Sequence, residues 1–105
     1  MSDIFERVAR VVEERRNADP SSSYVARLQA GAPDSILKKI GEEATELVIA
    51  AKDADRSAVV HEAADLWFHT LVLLGACKIG QDEVMAELER RFGVSGIDEK
   101  AARTR

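Results

Sequence analysis

The sequence has 105 residues, of which 46% are hydrophobic and 32% are charged, and its formal net charge is −4. This length predicts one domain, and the composition is typical of a folded protein rather than a disordered one. The acidic balance argues against a nucleic-acid partner, which would require a basic face. The only cysteine, Cys77, excludes an internal disulfide. We expect it to be a small core residue of a protein in a reducing compartment.

The sequence predicts neither export nor membrane insertion. Charges begin at Asp3, and the N-terminus lacks the apolar stretch of a signal peptide. The longest uncharged run begins at Leu66 and ends at Cys77, so it has about 12 residues, whereas a membrane-spanning helix needs about 20. We therefore expect a cytoplasmic protein with no membrane partner.

Apolar residues recur every three to four positions, which predicts an all-α fold, a small bundle of four to five helices. Ser23 is a suitable N-cap for a short second helix that Gly31 ends. The other helices are expected over residues 3–17, 36–53, 57–79 and 81–92. The folded domain is expected to cover residues 1–93, and residues 94–105 to form a charged, flexible tail.

The fourth helix is apolar on nearly every side between Leu66 and Cys77. A helix of this kind must be covered on every side, and a small bundle leaves one side open, so we expect a homodimer through this helix. Gly41, inside the third helix, predicts the close approach of another helix or a ligand. The expected inward residues are Leu37, Ile40, Ala44, Leu47, Val48 and Ala51 on the third helix and Val84, Met85 and Leu88 on the fifth.

Acidic residues cluster on two consecutive predicted helices. Glu42, Glu43 and Glu46 lie on the third helix, and Glu62 and Asp65 lie on the fourth. Residues three apart point in similar directions, so Glu43 aligns with Glu46 and Glu62 with Asp65. If the two helices pack antiparallel, four carboxylates converge and repel one another unless a cation lies between them. Oxygen-only donors favour Mg²⁺, with Mn²⁺ as an alternative ion, over zinc.

The acidic residues of the third helix also fit an ordinary solvated helix face. Lys38 lies four positions before Glu42, a spacing at which surface side chains commonly pair. Glu62 and Asp65 weigh against this alternative, because they precede the most apolar part of the chain, where carboxylates are rarely buried without a partner or a metal. We expect His69, in the same apolar part, to be a core or interface histidine.

Several segments together resemble a known family. They are ERR at residues 14–16, SYVARL at 23–28, KKIGEEATE at 38–46, AAK at 50–52, EAADL at 62–66 with His69, and LERR at 88–91. This pattern resembles the all-α nucleotide pyrophosphohydrolases of the MazG-like superfamily. Within that superfamily, the sequence is similar to the phosphoribosyl-ATP pyrophosphohydrolases.

The resemblance implies Mg²⁺-dependent hydrolysis of the α–β phosphoanhydride of phosphoribosyl-ATP, which gives phosphoribosyl-AMP and pyrophosphate in an early step of histidine biosynthesis. It also implies an α-helical dimer. The implied metal ligands are Glu43, Glu46, Glu62 and Asp65, and the implied catalytic residues are Glu42 and Glu43. Glu42 would be either a ligand through water or the base that activates the water. The implied substrate-binding residues are Ser23 and Tyr24, which would line the pocket, and Lys38 and Lys39, which would contact phosphate. From their positive charge, Arg16 and Arg27 are further candidates for phosphate contacts.

Two other functions stay open at this point. The whole superfamily shares the acidic motif, so a general pyrophosphatase that removes unwanted nucleoside triphosphates is an alternative. The other alternative is a helical dimerisation module without catalytic activity. In that case Glu43→Gln and Asp65→Asn would be neutral or stabilising, since they would only relieve repulsion.

Overall fold

The computed structural model describes residues 3–93, and the tail expected at residues 94–105 lies outside this range. The described chain contains five helices: α1 (Ile4–Arg15), α2 (Tyr24–Ala30), α3 (Asp34–Lys52), α4 (Arg56–Ala76) and α5 (Gln81–Phe92). It contains no strand in that range, so the predicted all-α class is confirmed. The most extensive packing is between α3 and α4.

A tight turn joins α3 to α4 and makes the two helices antiparallel neighbours. Ala54 adopts a left-handed backbone conformation with φ of 55°. The Asp55 N–H donates to the Ala50 carbonyl and ends α3 as in a Schellman motif. Asp55 then caps α4, because its Oδ1 accepts a hydrogen bond from the Ala58 N–H at 3.1 Å. The turn therefore fixes the register of the two helices that carry the predicted carboxylates.

The hydrophobic core lies where α1 to α4 meet. It is small, and α5 contributes no buried residue to it. The ends of α2 agree with the prediction, since the Ser23 Oγ accepts from the Ala26 N–H and Gly31 follows the last turn. The buried core residues are Val12, Val25, Leu28, Ile36 and Val72.

The prediction that Cys77 is a core residue is wrong. α4 ends at Ala76 rather than at Ile79, because Lys78 takes a φ of 60° and the Ile79 N–H donates to the Leu74 carbonyl. Cys77 is therefore the exposed C-cap residue of α4. The apolar run of the sequence continues past the end of the helix.

Two other helix ends differ from the prediction by two residues. α1 ends at Arg15, and the Arg15 carbonyl accepts from the Ala18 N–H in the turn that follows. α3 begins at Asp34 rather than at Ile36, since the Pro33 carbonyl accepts from the Ile36 N–H and opens the helix. Both differences are small, and they leave the predicted carboxylates inside α3 and α4.

The predicted inward face of α3 is correct for Ile40, which packs against the core, and wrong for Leu37 and Val48. Ile36, Glu43 and Ala50 are the buried residues of α3, whereas Leu37 is 48% exposed and Val48 is 62% exposed. The buried side of α3 includes the acidic Glu43, so it does not follow the apolar residues alone. Ala51 is also exposed, while Ile40, Ala44 and Leu47 are half-buried.

The predicted packing of α5 is wrong within the single chain. The inward residues expected on α5, namely Val84, Met85 and Leu88, are exposed. Among residues 3–93, no atom of another helix lies within 4 Å of the place that a Cβ on Gly41 would take. No described helix therefore makes the close approach expected at Gly41, and the alternative of a ligand stays a prediction.

Apolar side chains of α1, α4 and α5 surround a groove of about 340 Å³, whose lining includes Phe5, Trp67 and Leu88. Trp67 is 57% exposed at this groove. Within residues 3–93, no single helix is long and apolar enough to cross a membrane. Only α4 and α5 together meet the criteria of length and composition, and they do so as a pair bent by 114°.

Candidate metal and substrate site

Acidic side chains of α3 and α4 come together across the helix interface. Glu43, Glu46 and Glu62 each offer a carboxylate oxygen, and the three oxygens lie within 4.8 Å of one another. Asp65 lies about one turn further along α4. It forms a second group with Glu62 and His61, whose ligand atoms meet the same limit. The predicted ligands thus form a row of two overlapping groups that share Glu62, rather than one cluster of four.

Glu62 is the electrostatically strained member of this row. Its Oε1 is buried and has no hydrogen-bond partner among the described residues unless a neighbouring carboxyl holds a proton. The adjacent Glu43 carboxyl raises the pKa of Glu62 to about 7, and burial and the nearby Glu46 act in the same direction. Crowded carboxylates favour a bound proton or a bound cation at this position.

Glu43 is buried, and Lys39 pairs with it. The Lys39 Nζ lies 3.5 Å from Glu43 Oε1 and 3.5 Å from Glu42 Oε1. Burial acts to raise the pKa of Glu43, but the hydrogen bond with Glu62 and the Lys39 ammonium together hold it below its ordinary value. Burial acts to lower the pKa of Lys39, but the acidic groups of Tyr24, Glu43 and Glu42 keep it above its ordinary value. Glu43 is therefore a carboxylate and Lys39 a cation near neutral pH.

The short helix α2 reaches the site through Tyr24. The Tyr24 hydroxyl lies 2.7 Å from His69 Nε2, and His69 Nδ1 lies 2.8 Å from the Asp65 backbone oxygen. Burial raises the pKa of Tyr24, which keeps its hydroxyl protonated at neutral pH. His69 is buried, as expected for a core or interface histidine. The Arg27 guanidinium lies 5.8 Å from the centre of the Tyr24 ring.

The other predicted substrate residues have different surroundings. Ser23 is buried, and its hydroxyl oxygen caps α2. Arg27 donates from Nη1 to the Pro20 carbonyl at 3.1 Å, and Lys38 is exposed on α3. Arg16 lies 3.4 Å from Glu13 and lines a separate polar pocket between α1 and α2. The structure thus brings Tyr24, Lys39 and the carboxylates together and places Arg16 at a different surface.

Two features of the site were not predicted from the sequence. His61 Nε2 lies 3.2 Å from Asp65 Oδ2. The spacing of four residues on one helix could have indicated this pair. The bond between Tyr24 and His69 joins residues 45 positions apart, and no spacing rule indicates such a contact. It depends on how α2 packs against α4.

Comparison with known proteins decides the family. The family model described as phosphoribosyl-ATP pyrophosphohydrolase matches residues 5–92. The chain belongs to this family. The predicted resemblance is thereby confirmed, and so is the prediction that the protein is an enzyme of the hydrolase class.

Curated relatives match nearly the whole chain, and each is named phosphoribosyl-ATP pyrophosphatase. The chain is 58% identical to the one from Variovorax paradoxus over an alignment of 109 positions, gaps included. This alignment covers 97% of this chain and 86% of the relative. It is 57% identical over 101 residues to the one from Geobacter metallireducens, with 96% and 93% covered. It is 54% identical over 101 residues to the one from Methylococcus capsulatus, with 96% of each covered.

Proposed function

We propose that the protein hydrolyses the α–β phosphoanhydride of phosphoribosyl-ATP to phosphoribosyl-AMP and pyrophosphate, as a step of histidine biosynthesis in the cytoplasm. The family and the names of the relatives support this substrate. The observation that carries the proposal is the Glu62 carboxyl. It belongs to both groups of ligand atoms, and when the neighbouring carboxyls are ionised its buried Oε1 has no hydrogen-bond partner among residues 3–93.

The donor set fits Mg²⁺, with Mn²⁺ as an alternative ion. Glu43, Glu46 and Glu62 offer oxygen atoms only, which suit these hard cations. Asp65 would extend this set from the next turn of α4, where it now faces His61. When bound, Mg²⁺ would polarise the phosphoryl oxygens and offset the negative charge that develops on the leaving pyrophosphate.

Two side chains of α3 would bind the phosphate and activate the water. Lys39 carries its positive charge beside Glu43 and is placed to contact a phosphate oxygen that approaches the carboxylates. Glu42 lies on the exposed side of Lys39 and would accept the proton of the attacking water. The water oxygen forms a bond to phosphorus while the bond to the pyrophosphate oxygen breaks. Glu43 is buried and deprotonated, which suits a metal ligand better than a base.

We also propose that the protein is a homodimer through the exposed side of α4. Trp67, together with Phe5 and Leu88, surrounds an apolar groove that a second copy would cover. Leu71 and Val72 are buried within the chain. The proposed interface is therefore narrower than the predicted run from Leu66 to Cys77, and it includes α5.

The test is pyrophosphate release in the presence of Mg²⁺, with phosphoribosyl-ATP compared with ATP and a panel of deoxynucleoside triphosphates. Glu43→Gln is the site variant, and Glu14→Gln, the same change on an exposed residue of α1, is the control. Turnover confined to phosphoribosyl-ATP and lost only in Glu43→Gln is the expected result. Turnover of the whole panel would favour a general nucleotide pyrophosphatase, and no turnover would favour a dimerisation module.

A further inference from the structure

The hydrogen bonds around His69 determine which way the Tyr24 hydroxyl points. His69 Nδ1 lies 2.8 Å from the Asp65 backbone oxygen, and a carbonyl oxygen can only accept. Nδ1 therefore carries the ring proton, which leaves Nε2 as the acceptor nitrogen of the imidazole. The Tyr24 hydroxyl, 2.7 Å from Nε2, must donate its only hydrogen to the imidazole. The Tyr24 oxygen then has only acceptor lone pairs left for other partners.

Packing holds this arrangement in place. His69 is 4% exposed, and the Tyr24 and Phe68 rings meet it edge-on, with centroids 5.7 Å and 5.1 Å from the imidazole. A ring flip of His69 would exchange Nδ1 for a carbon atom at the Asp65 carbonyl and break both hydrogen bonds. The imidazole therefore holds one orientation, and the Tyr24 hydroxyl is held with it.

The Tyr24 oxygen is also placed to meet the substrate. The charged groups close enough to affect the Tyr24 hydroxyl include Lys39, Glu43 and Asp65, which belong to the proposed phosphate and metal site. Tyr24 remains 40% exposed even though Arg27 and Phe68 lie against its ring. The Tyr24 hydroxyl thus brings to this site an oxygen whose only hydrogen is already donated to His69.

We propose that His69 is a positioning residue that makes the Tyr24 oxygen an acceptor, so that Tyr24 binds a donor group of the substrate and not a phosphate. The donor is a sugar hydroxyl or an amino group, because phosphate oxygens would be repelled by the lone pairs of Tyr24. Lys39, on the neighbouring helix, provides the phosphate contact. This inference rests on the proposed function and assigns one part of the substrate to one side of the site.

The kinetic test uses three variants that separate the two bonds of His69. Tyr24→Phe removes the hydroxyl, His69→Asn keeps a donor near Nδ1 but removes the acceptor at Nε2, and His69→Gln keeps an acceptor near Nε2. We expect Tyr24→Phe and His69→Asn each to lower kcat/KM for phosphoribosyl-ATP about tenfold, mainly through KM. The double variant Tyr24→Phe/His69→Asn should be no worse than either change alone, and His69→Gln should recover most of the loss.

The opposite pattern would overturn the inference. If His69 only supports the fold, His69→Asn and His69→Gln lose activity alike, and their effects add to that of Tyr24→Phe. The substrate group that donates to Tyr24 is identified with the 2′-deoxyadenosine analogue, which lacks one ribose hydroxyl of the substrate. Tyr24→Phe has no effect on this analogue if the missing hydroxyl is the partner, and it keeps its full effect if an amino group or another hydroxyl is.

The protonation of His69 can be measured without substrate, so this measurement tests the inference independently of the proposed function. ¹⁵N NMR of the substrate-free protein should show His69 protonated at Nδ1, with an Nε2 signal that moves in Tyr24→Phe. A proton on Nε2 in the wild type would contradict the inference whatever the reaction is. If the wild type does not hydrolyse phosphoribosyl-ATP, the proposed function fails. In that case, the dissociation constant of ATP is measured for the same variants. Additive effects of Tyr24→Phe and His69→Asn on ATP binding would contradict the role of His69.

Discussion

The two sides of α4 differ in what they need from outside the chain. The side towards α2 and α3 carries Glu62, Asp65 and His69, at spacings of three and four residues. The other side carries Trp67 and Leu71, which face the groove against α5. The helical period separates these two sets, so one helix can serve a charged site and an apolar surface at once.

One side of α4 crowds acidic groups together, and the other leaves a large apolar side chain exposed. The crowded carboxylates raise the pKa of Glu62 to about 7, and a bound cation would relieve their repulsion. Trp67 is 57% exposed, and an apolar partner surface would remove it from water. We expect Mg²⁺ to bind on the first side and a second copy of the chain on the other, so a mutation on one side should leave the function of the other unchanged.

The largest effect is expected from the carboxylate side. Glu43→Gln should lower kcat/KM for phosphoribosyl-ATP by at least about a hundredfold, since a neutral amide is a poor ligand for Mg²⁺. The variant should remain folded, because the change relieves repulsion among the carboxylates. Steady-state kinetics with Glu14→Gln as the control checks this, and a Glu43→Gln enzyme with wild-type rates would mean that the carboxylates serve no catalytic purpose.

The apolar side should respond in its state of association. Trp67→Glu should weaken the dimer by at least about thirtyfold, as expected when a central aromatic of an interface is lost. Leu37→Glu, at a similarly exposed apolar position on α3, should leave the dimer intact. Sedimentation equilibrium measures both. Equal dissociation in the two variants would place the interface elsewhere, and a monomeric wild type would exclude it.

The binding of Mg²⁺ is expected to depend on pH. Because the folded-state pKa of Glu62 is about 7, this carboxyl is mostly protonated at pH 6 and mostly ionised at pH 8. Mg²⁺ must displace the proton, so its affinity should be about tenfold lower at pH 6 than at pH 8. Calorimetric titration at the two pH values checks this, and equal affinities would show that Glu62 is not a ligand.

Glu62 also makes the free energy of unfolding of the metal-free protein depend on pH. The folded state raises the pKa of Glu62 from 4.5 to about 7, so it binds more protons than the unfolded state between these pH values. The contribution of Glu62 to the free energy of unfolding is therefore present below pH 4.5 and is lost as the pH rises towards 7. Glu62→Gln should remove this part of the pH dependence.

The smallest effect is expected in the turn that aligns the carboxylates. Asp55→Ala should lower the free energy of unfolding by about 1 kcal/mol, because the hydrogen bond that caps α4 is lost. Asp3→Ala is a matched control, since Asp3 is the N-cap residue of α1 but its side chain makes no capping hydrogen bond. Urea unfolding at a fixed protein concentration measures both, and equal losses would contradict the role given to Asp55.

The sequence predicted the features that depend on spacing within a helix. The five helices and the common direction of Glu43 and Glu46 follow from the period of 3.6 residues. Features that depend on packing between helices were harder to predict from the sequence. Leu37 and Val48 were expected to point inward because they are apolar, but the polar site occupies the inward side of α3. The contact between Tyr24 and His69 could not be predicted for the same reason.

A calorimetric titration of Mg²⁺ into the wild type, Glu62→Gln and Glu14→Gln at pH 8 tests whether the row of carboxylates binds the metal. Glu62 is shared by both groups of ligand atoms, so its loss should disturb the whole row while the protein stays folded. We predict that the wild type and Glu14→Gln bind Mg²⁺ alike and that Glu62→Gln binds it at least about tenfold more weakly. Equal binding of Mg²⁺ by Glu62→Gln and the wild type would contradict the assignment of this row of carboxylates as the metal site.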